Sequence, residues 1–177
     1  INSALKTIVG LGYAVPGIVI AVGTLIPLAL FDNALDTVLR NWFGISSGLL
    51  LSGTLVALIL AYLVRFLTVS INSLEPGFGH IPQTLDMASR TLGDRPLGVL
   101  KRVHFPLLKP RLISALLIVF VETMKELPAT LILRPFNFNT LAVRAYELAS
   151  DERLPEAAMA SLAIVLVGLI PVIVLTR

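Results

Sequence analysis

Four apolar runs alternate with polar stretches along the 177-residue chain. A helix rises 1.5 Å per residue, so roughly 20 apolar residues cross a hydrocarbon core of about 30 Å. The runs fall at about residues 8–30, 48–69, 112–133 and 157–175 and predict four membrane-spanning helices. Phe31 to Ser47 reads as a loop holding Asp32, Asp36 and Arg40, with Trp42 and Phe43 suited to the headgroup level. Small residues at Gly10, Gly12, Gly17 and Gly23 allow close helix contact, serving either packing or a hinge. Pro16-Gly17 predicts a break in the first span, turned toward neighbouring helices because lipid cannot satisfy the freed backbone.

Between the second and third runs lies a polar island, Ser70 to Arg111. Pro82 and Gly93 bracket a short helix, with Leu85, Ala88 and Leu92 on one face. After Gly93, Asp94 is placed to cap a second short helix with Pro96 in its first turn. Leu97, Leu100 and Val103 form its apolar stripe, Arg95, Lys101 and Arg102 project elsewhere, and Pro106 and Pro110 are expected to end it. The island thus predicts two amphipathic helices joined at a glycine corner, over about residues 82–106.

Charge sets the orientation. The island carries Arg90, Arg95, Lys101, Arg102, Lys109 and Arg111, whereas the loop before it has Arg40 alone. By the positive-inside rule the island is cytoplasmic, the Asp32 loop is external, and the end bearing Lys6 is internal. Composition agrees with a membrane protein: 56% hydrophobic, 14% charged, mean hydropathy +0.89. The net charge of +3 is spread among loops without interleaved aromatics, which argues against a nucleic-acid partner. Cysteine is absent, so disulfides and thiolate metal sites are excluded. The chain begins at Ile1, carries no signal peptide pattern and reads as a piece of a longer protein.

The third run holds the densest intramembrane charge: Glu122, Lys125 and Glu126, with Pro128 two residues on. These spacings bring side chains together on a helix, so the lysine is expected to neutralise one or both carboxylates. A broken helix beside such a cluster suits a solute path or gate; an ion pair fixing helix register is the structural alternative. Arg65, near the end of the second run, is expected to snorkel toward water. In the last polar stretch, Thr140 to Ala149 predicts a short helix capped by Asn139, on a charged surface that is either solvated or a docking face. No phosphate loop, HExxH or GxSxG motif occurs, and His80 and His104 stand alone in loop sequence, so no catalytic or metal residue is assigned.

The island resembles the Glu-Ala-Ala loop of ABC importer permeases. Aligned on Gly93, the triplet falls on Met87, Ala88 and Ser89, and the closing residues on Val103 to Pro106. The Gly-to-Pro spacing matches; the motif glutamate is missing, and Asp86 is the nearest carboxylate. The stretch from Val121 to Ala158, the Pro16 region and Leu51 to Arg65 are similar to the second half of ferric-iron-type permeases. The resemblance implies an all-α membrane protein, the transmembrane domain of a type I importer, with a cytoplasmic coupling loop. Asp86, Met87, Ala88, Ser89, Gly93, Asp94, Arg95 and Pro106 would then dock the ATPase. It also implies a cytoplasmic ATPase dimer binding ATP and Mg, a like permease half, a periplasmic solute-binding protein and the bacterial inner membrane. Ferric iron is the solute it favours, with thiamine, sulfate and polyamines carried by related permeases. A secondary transporter or channel is the rival class; its flux would survive ATP depletion.

Overall fold

The structure, a computed structural model, describes residues 10–175, which form helices joined by loops with no strand among them. Lys6, the first two residues of the first expected span and Arg177 lie outside the described residues. Residues 10–14 are helical and stop at Val15–Pro16; α1 then runs Gly17–Phe43 and α2 Leu55–Gly79. The island supplies α3, Gln83–Thr91, and the start of α4, which runs Pro96–Met124. Three shorter or final elements complete the chain: α5, Pro128–Leu133, α6, Leu141–Ser150, and α7, Leu154–Leu175. Four of these helices, α1, α2, α4 and α7, are long and apolar enough to cross a membrane.

α1 and α2 pack antiparallel, with α5 against both; α4 lies along α2, and α7 packs on α6 and α4. The tightest core joins Ile20 and Ala21 of α1, Ala57, Leu58 and Ala61 of α2, and Ala129 and Leu133 of α5. Alanines dominate it because three backbones converge there and larger side chains would hold them apart. Of the four first-run glycines, Gly12 and Gly17 sit where a Cβ would strike α2 or Glu126, while Gly10 and Gly23 face open space. Elsewhere the long helices present Leu, Ile and Val outward on most faces. The total accessible surface is 11831 Å²; a compact water-soluble chain of this mass exposes only roughly 8,400 Å². Exposed Leu, Ile and Val side chains of the long helices contribute to that excess, as lipid or neighbouring membrane helices require.

The second span runs Leu55–Gly79 rather than 48–69, and two further boundaries differ from the sequence reading. The expected loop from Phe31 is helix as far as Phe43, because Asp32, Asp36 and Arg40 recur at i, i+4 and i+8 and so mark one polar face. Both carboxylates reach back to the returning segment at residues 44–54. Asp32, only 1% exposed, accepts from the amides of Leu51 and Ser52 and from Ser52 Oγ at 2.6 Å. Asp36 accepts from the amides of Ser47 and Gly48 and pairs with Arg40 at 2.6 Å. The loop is therefore organised by the helix before it. Asp32→Ala would strand those donors in a buried place and is expected to cost about 2–4 kcal/mol. The check is faster proteolysis at residues 44–54 and a lower unfolding midpoint than wild type.

The second difference is that Pro106 and Pro110 end nothing: α4 passes through both. Its stretch Leu100–His104 is π-helical and ends two residues before Pro106. A wider turn gives the proline ring room and relieves the carbonyl it would otherwise face. The second island helix and the third span are consequently one rod of 29 residues, about 43 Å long.

Candidate functional site

Two polar regions stand out, one at each level of this rod. The first is the corner between α3 and α4. Pro82 occupies the N-cap position of α3 and Gly93 turns its C-terminal end with φ +92. The amide of Gly93 donates to Arg90 O at 3.0 Å and that of Asp94 to Ser89 O at 3.1 Å, the paired bonds of a Schellman ending. Glycine is required there by the left-handed backbone alone, since a Cβ would meet nothing within 4 Å.

Asp94 does not cap α4; Arg95 occupies that position, with no side-chain cap. Its carboxylate instead accepts from Ser89 Oγ at 2.8 Å and pairs with Arg102 at 2.8 Å. A second cross-link joins Asp86 to His104 at 2.9 Å, and the His104 ring rests 5.9 Å from that of Phe78 in α2. His104 is thus a helix residue tied to Asp86 rather than a loop residue standing alone. With two carboxylates fastening α3 to α4, the corner is set at a fixed angle on the end of the rod.

Of the residues matched to the docking motif, Met87, Ala88, Gly93, Arg95 and Pro106 are exposed, Asp86 and Asp94 half-buried, and Ser89 buried. Leu85 and Leu92 are exposed with Met87, Leu92 to 86%, so the apolar stripe of α3 points away from the protein's own helices. On α4 the inward residue is Val99, while Leu97 and Leu100 face out.

The second region lies at the break after Met124. Lys125 pairs with Glu122 at 2.7 Å and is exposed, but it does not reach Glu126. Glu126, 6% exposed, meets Arg65 of α2, with Oε2 2.9 Å from Nε. Arg65 therefore does not snorkel: α2 continues to Gly79, leaving it mid-helix. The other Glu126 oxygen accepts from the amide of Ala129 at 3.2 Å, and Thr130 Oγ1 donates to the Glu126 carbonyl at 2.7 Å. Pro128 opens α5, where a missing amide hydrogen costs nothing. Tyr62 of α2 shares a 2.5 Å hydrogen bond with Thr130. Among the described residues no group of three or more His, Asp or Glu could hold a metal ion.

Toward the other face, Arg134, Asn139 and Glu147 form a polar cluster, with Arg134 and Glu147 2.9 Å apart. Asn139 is engaged there, and α6 is capped by Thr140, whose Oγ1 accepts from Val143. Arg65 was misread from sequence as an anchor snorkelling toward water; the signal against that was its position inside an apolar run, which α2 extends to Gly79.

No family model matches the chain. It is 27% identical over 165 residues to an Fe(3+)-transport system permease protein of Haemophilus influenzae, covering 93% of this chain and 29% of that one. A proposed 2-aminoethylphosphonate transport system permease protein of Salmonella paratyphi A is 27% identical over 127 residues, 72% of this chain and 48% of its own. A ferric transport system permease protein of Actinobacillus pleuropneumoniae is 34% identical over 83 residues, 47% of this chain and 12% of its own. The chain spans less than half the length of each of these relatives.

Proposed function

We propose, from the chain's kinship with ABC importer permeases, that it forms part of a permease subunit whose motion is driven by a separate cytoplasmic ATPase dimer. ATP and Mg are bound by that partner. A like permease half completes the pathway, a periplasmic binding protein delivers the solute, and the assembly sits in a bacterial inner membrane. The observation that carries the reading is the corner at Gly93. It is a rigid, cross-linked pair of helices with Leu85, Met87 and Leu92 exposed at the polar end of a membrane bundle. An apolar helix face left uncovered in water fits the groove of a protein partner.

In this scheme nucleotide-driven closure of the ATPases displaces α3. Because α4 is continuous through Pro106, the displacement travels up the rod to the break at residues 125–127. There Glu122, Lys125, Glu126 and Pro128 form the pathway lining or gate, at a break where the chain can bend without opening a helix. Ferric iron is the solute favoured by the Haemophilus relative, while the Salmonella relative favours an organophosphonate. Iron-loaded and phosphonate-loaded binding proteins, compared for stimulation of ATP hydrolysis in proteoliposomes, would separate them.

The docking reading is tested by Met87→Asp with Leu92→Asp. Both side chains are exposed, so folding is expected to be unchanged, while co-purification of the ATPase falls at least tenfold. Undiminished co-purification would place the partner's grip elsewhere. Flux that continues after ATP depletion would instead indicate a secondary transporter.

A further inference from the structure

Arg65 lies ten residues from the start of α2 and fourteen from its end, about 15 and 21 Å along the axis. It is therefore deep in the bundle, where an arginine needs partners for its charge and its donors. Both helix interruptions meet it at this level. At the first, Pro16 takes over as acceptor for the amides of Val19 and Ile20, which leaves the Val15 carbonyl outside the helical ladder. Arg65 Nη1 donates to that carbonyl at 3.1 Å. At the second, Glu126 caps the amide of Ala129 at the start of α5 with one oxygen and meets Arg65 Nε with the other. Gly17 makes the convergence possible: a Cβ there would lie 2.7 Å from Glu126 Oε1 and 3.3 Å from Arg65 Nη1.

We propose that Arg65 is a positioning residue which, through Glu126, ties the break at Val15–Pro16 to the break at residues 125–127, so that the two move as one unit. The guanidinium suits the task because its fork engages a carbonyl on one helix and a carboxylate on another at once, which an ammonium cannot do from one fixed geometry. The contact with Glu126 is also suited to motion. Nε sits at ion-pair distance from Oε2 without the alignment of a hydrogen bond. Charge attraction varies gently with angle, so the carboxylate can swing with α5 and keep its partner. The inference rests on the transport reading only in taking residues 125–127 as the moving part. It adds that the first span moves with them.

The test is amide hydrogen exchange on the full-length permease assembled with its ATPase, comparing segments 17–20 and 129–132 with and without Mg-ATP and vanadate. In wild type the two segments are expected to change together. Glu126→Gln should raise exchange at 17–20, a site it does not hydrogen-bond, and Arg65→Gln should raise it at 129–132. Arg65→Lys keeps the charge but loses the fork, and is expected to loosen 17–20 at least threefold while sparing 129–132. Should either single variant fail to assemble, the double variant Arg65→Gln with Glu126→Gln removes both charges and leaves none unpaired. It is expected to assemble and to let the two segments respond independently to nucleotide. A Glu126→Gln variant that loosens only 129–132, an Arg65→Gln variant that loosens only 17–20, or a double variant whose segments still respond together, would overturn the linkage. Failure of wild type to hold an ATPase would instead overturn the function proposed above.

Discussion

Gly93→Pro is expected to reduce solute uptake at least tenfold and to abolish stimulation of the partner ATPase, while the protein still inserts into the membrane. The backbone at residue 93 has φ +92, and the proline ring holds φ near −65°, so the corner cannot keep its shape. Proline also removes the amide that donates to Arg90 and pushes Leu92 before it from φ −79, ψ 3 toward extended backbone. Once the turn opens, Ser89 and Asp94 separate, and with them the link through Asp94 to Arg102. The four spanning helices make no contact through residue 93, which has open space around it, so insertion has no reason to suffer. Gly93→Ala supplies the graded control: its methyl group meets nothing, and only the left-handed backbone is penalised, by about 1–2 kcal/mol. Partial uptake by the alanine variant and none by the proline variant would identify the angle of the corner as what is transmitted. Normal uptake by Gly93→Pro would remove the coupling role of the corner.

That angle was legible in sequence because it is locally encoded. Glycine after an amphipathic run, with prolines at the starts of α3 and α4, carries the corner without reference to anything distant. The four spans were legible for a related reason, since apolar length is counted along one helix. Pro106 and Pro110 misled because a proline's effect depends on what precedes it, and a π-helical turn at Leu100–His104 absorbs the first of them. Asp32 and Asp36 misled in the opposite way: polarity suggested a loop, but their i, i+4 spacing was a helical signal, fulfilled by a loop folding back onto them. The charge cluster was half legible. Lys125 and Glu122 are neighbours by helical spacing, whereas Arg65 and Glu126 are 61 positions apart. Their pairing follows from α2 and α4 lying antiparallel, which no local pattern records.

Glu126→Ala is expected to have the largest effect on stability. It leaves Arg65, half-buried in the bundle, without its counter-charge and the buried Ala129 amide without its cap. Removing one partner of a buried pair costs about 3–5 kcal/mol, most of it the penalty of the stranded charge. The detergent-solubilised complex should therefore unfold at a clearly lower temperature, with uptake reduced at least tenfold. Lower uptake alone does not separate a weakened protein from a disabled gate. The double variant Arg65→Met with Glu126→Ala does, because deleting both charges removes the stranded one and is expected to recover most of the stability. If the pair serves only to hold helix register, uptake should recover along with the unfolding temperature. If it belongs to the moving part, the recovered protein should still bind its ATPase through the exposed α3 corner, hydrolyse ATP and transport poorly, because stability has returned but the tie between the two helix breaks has not.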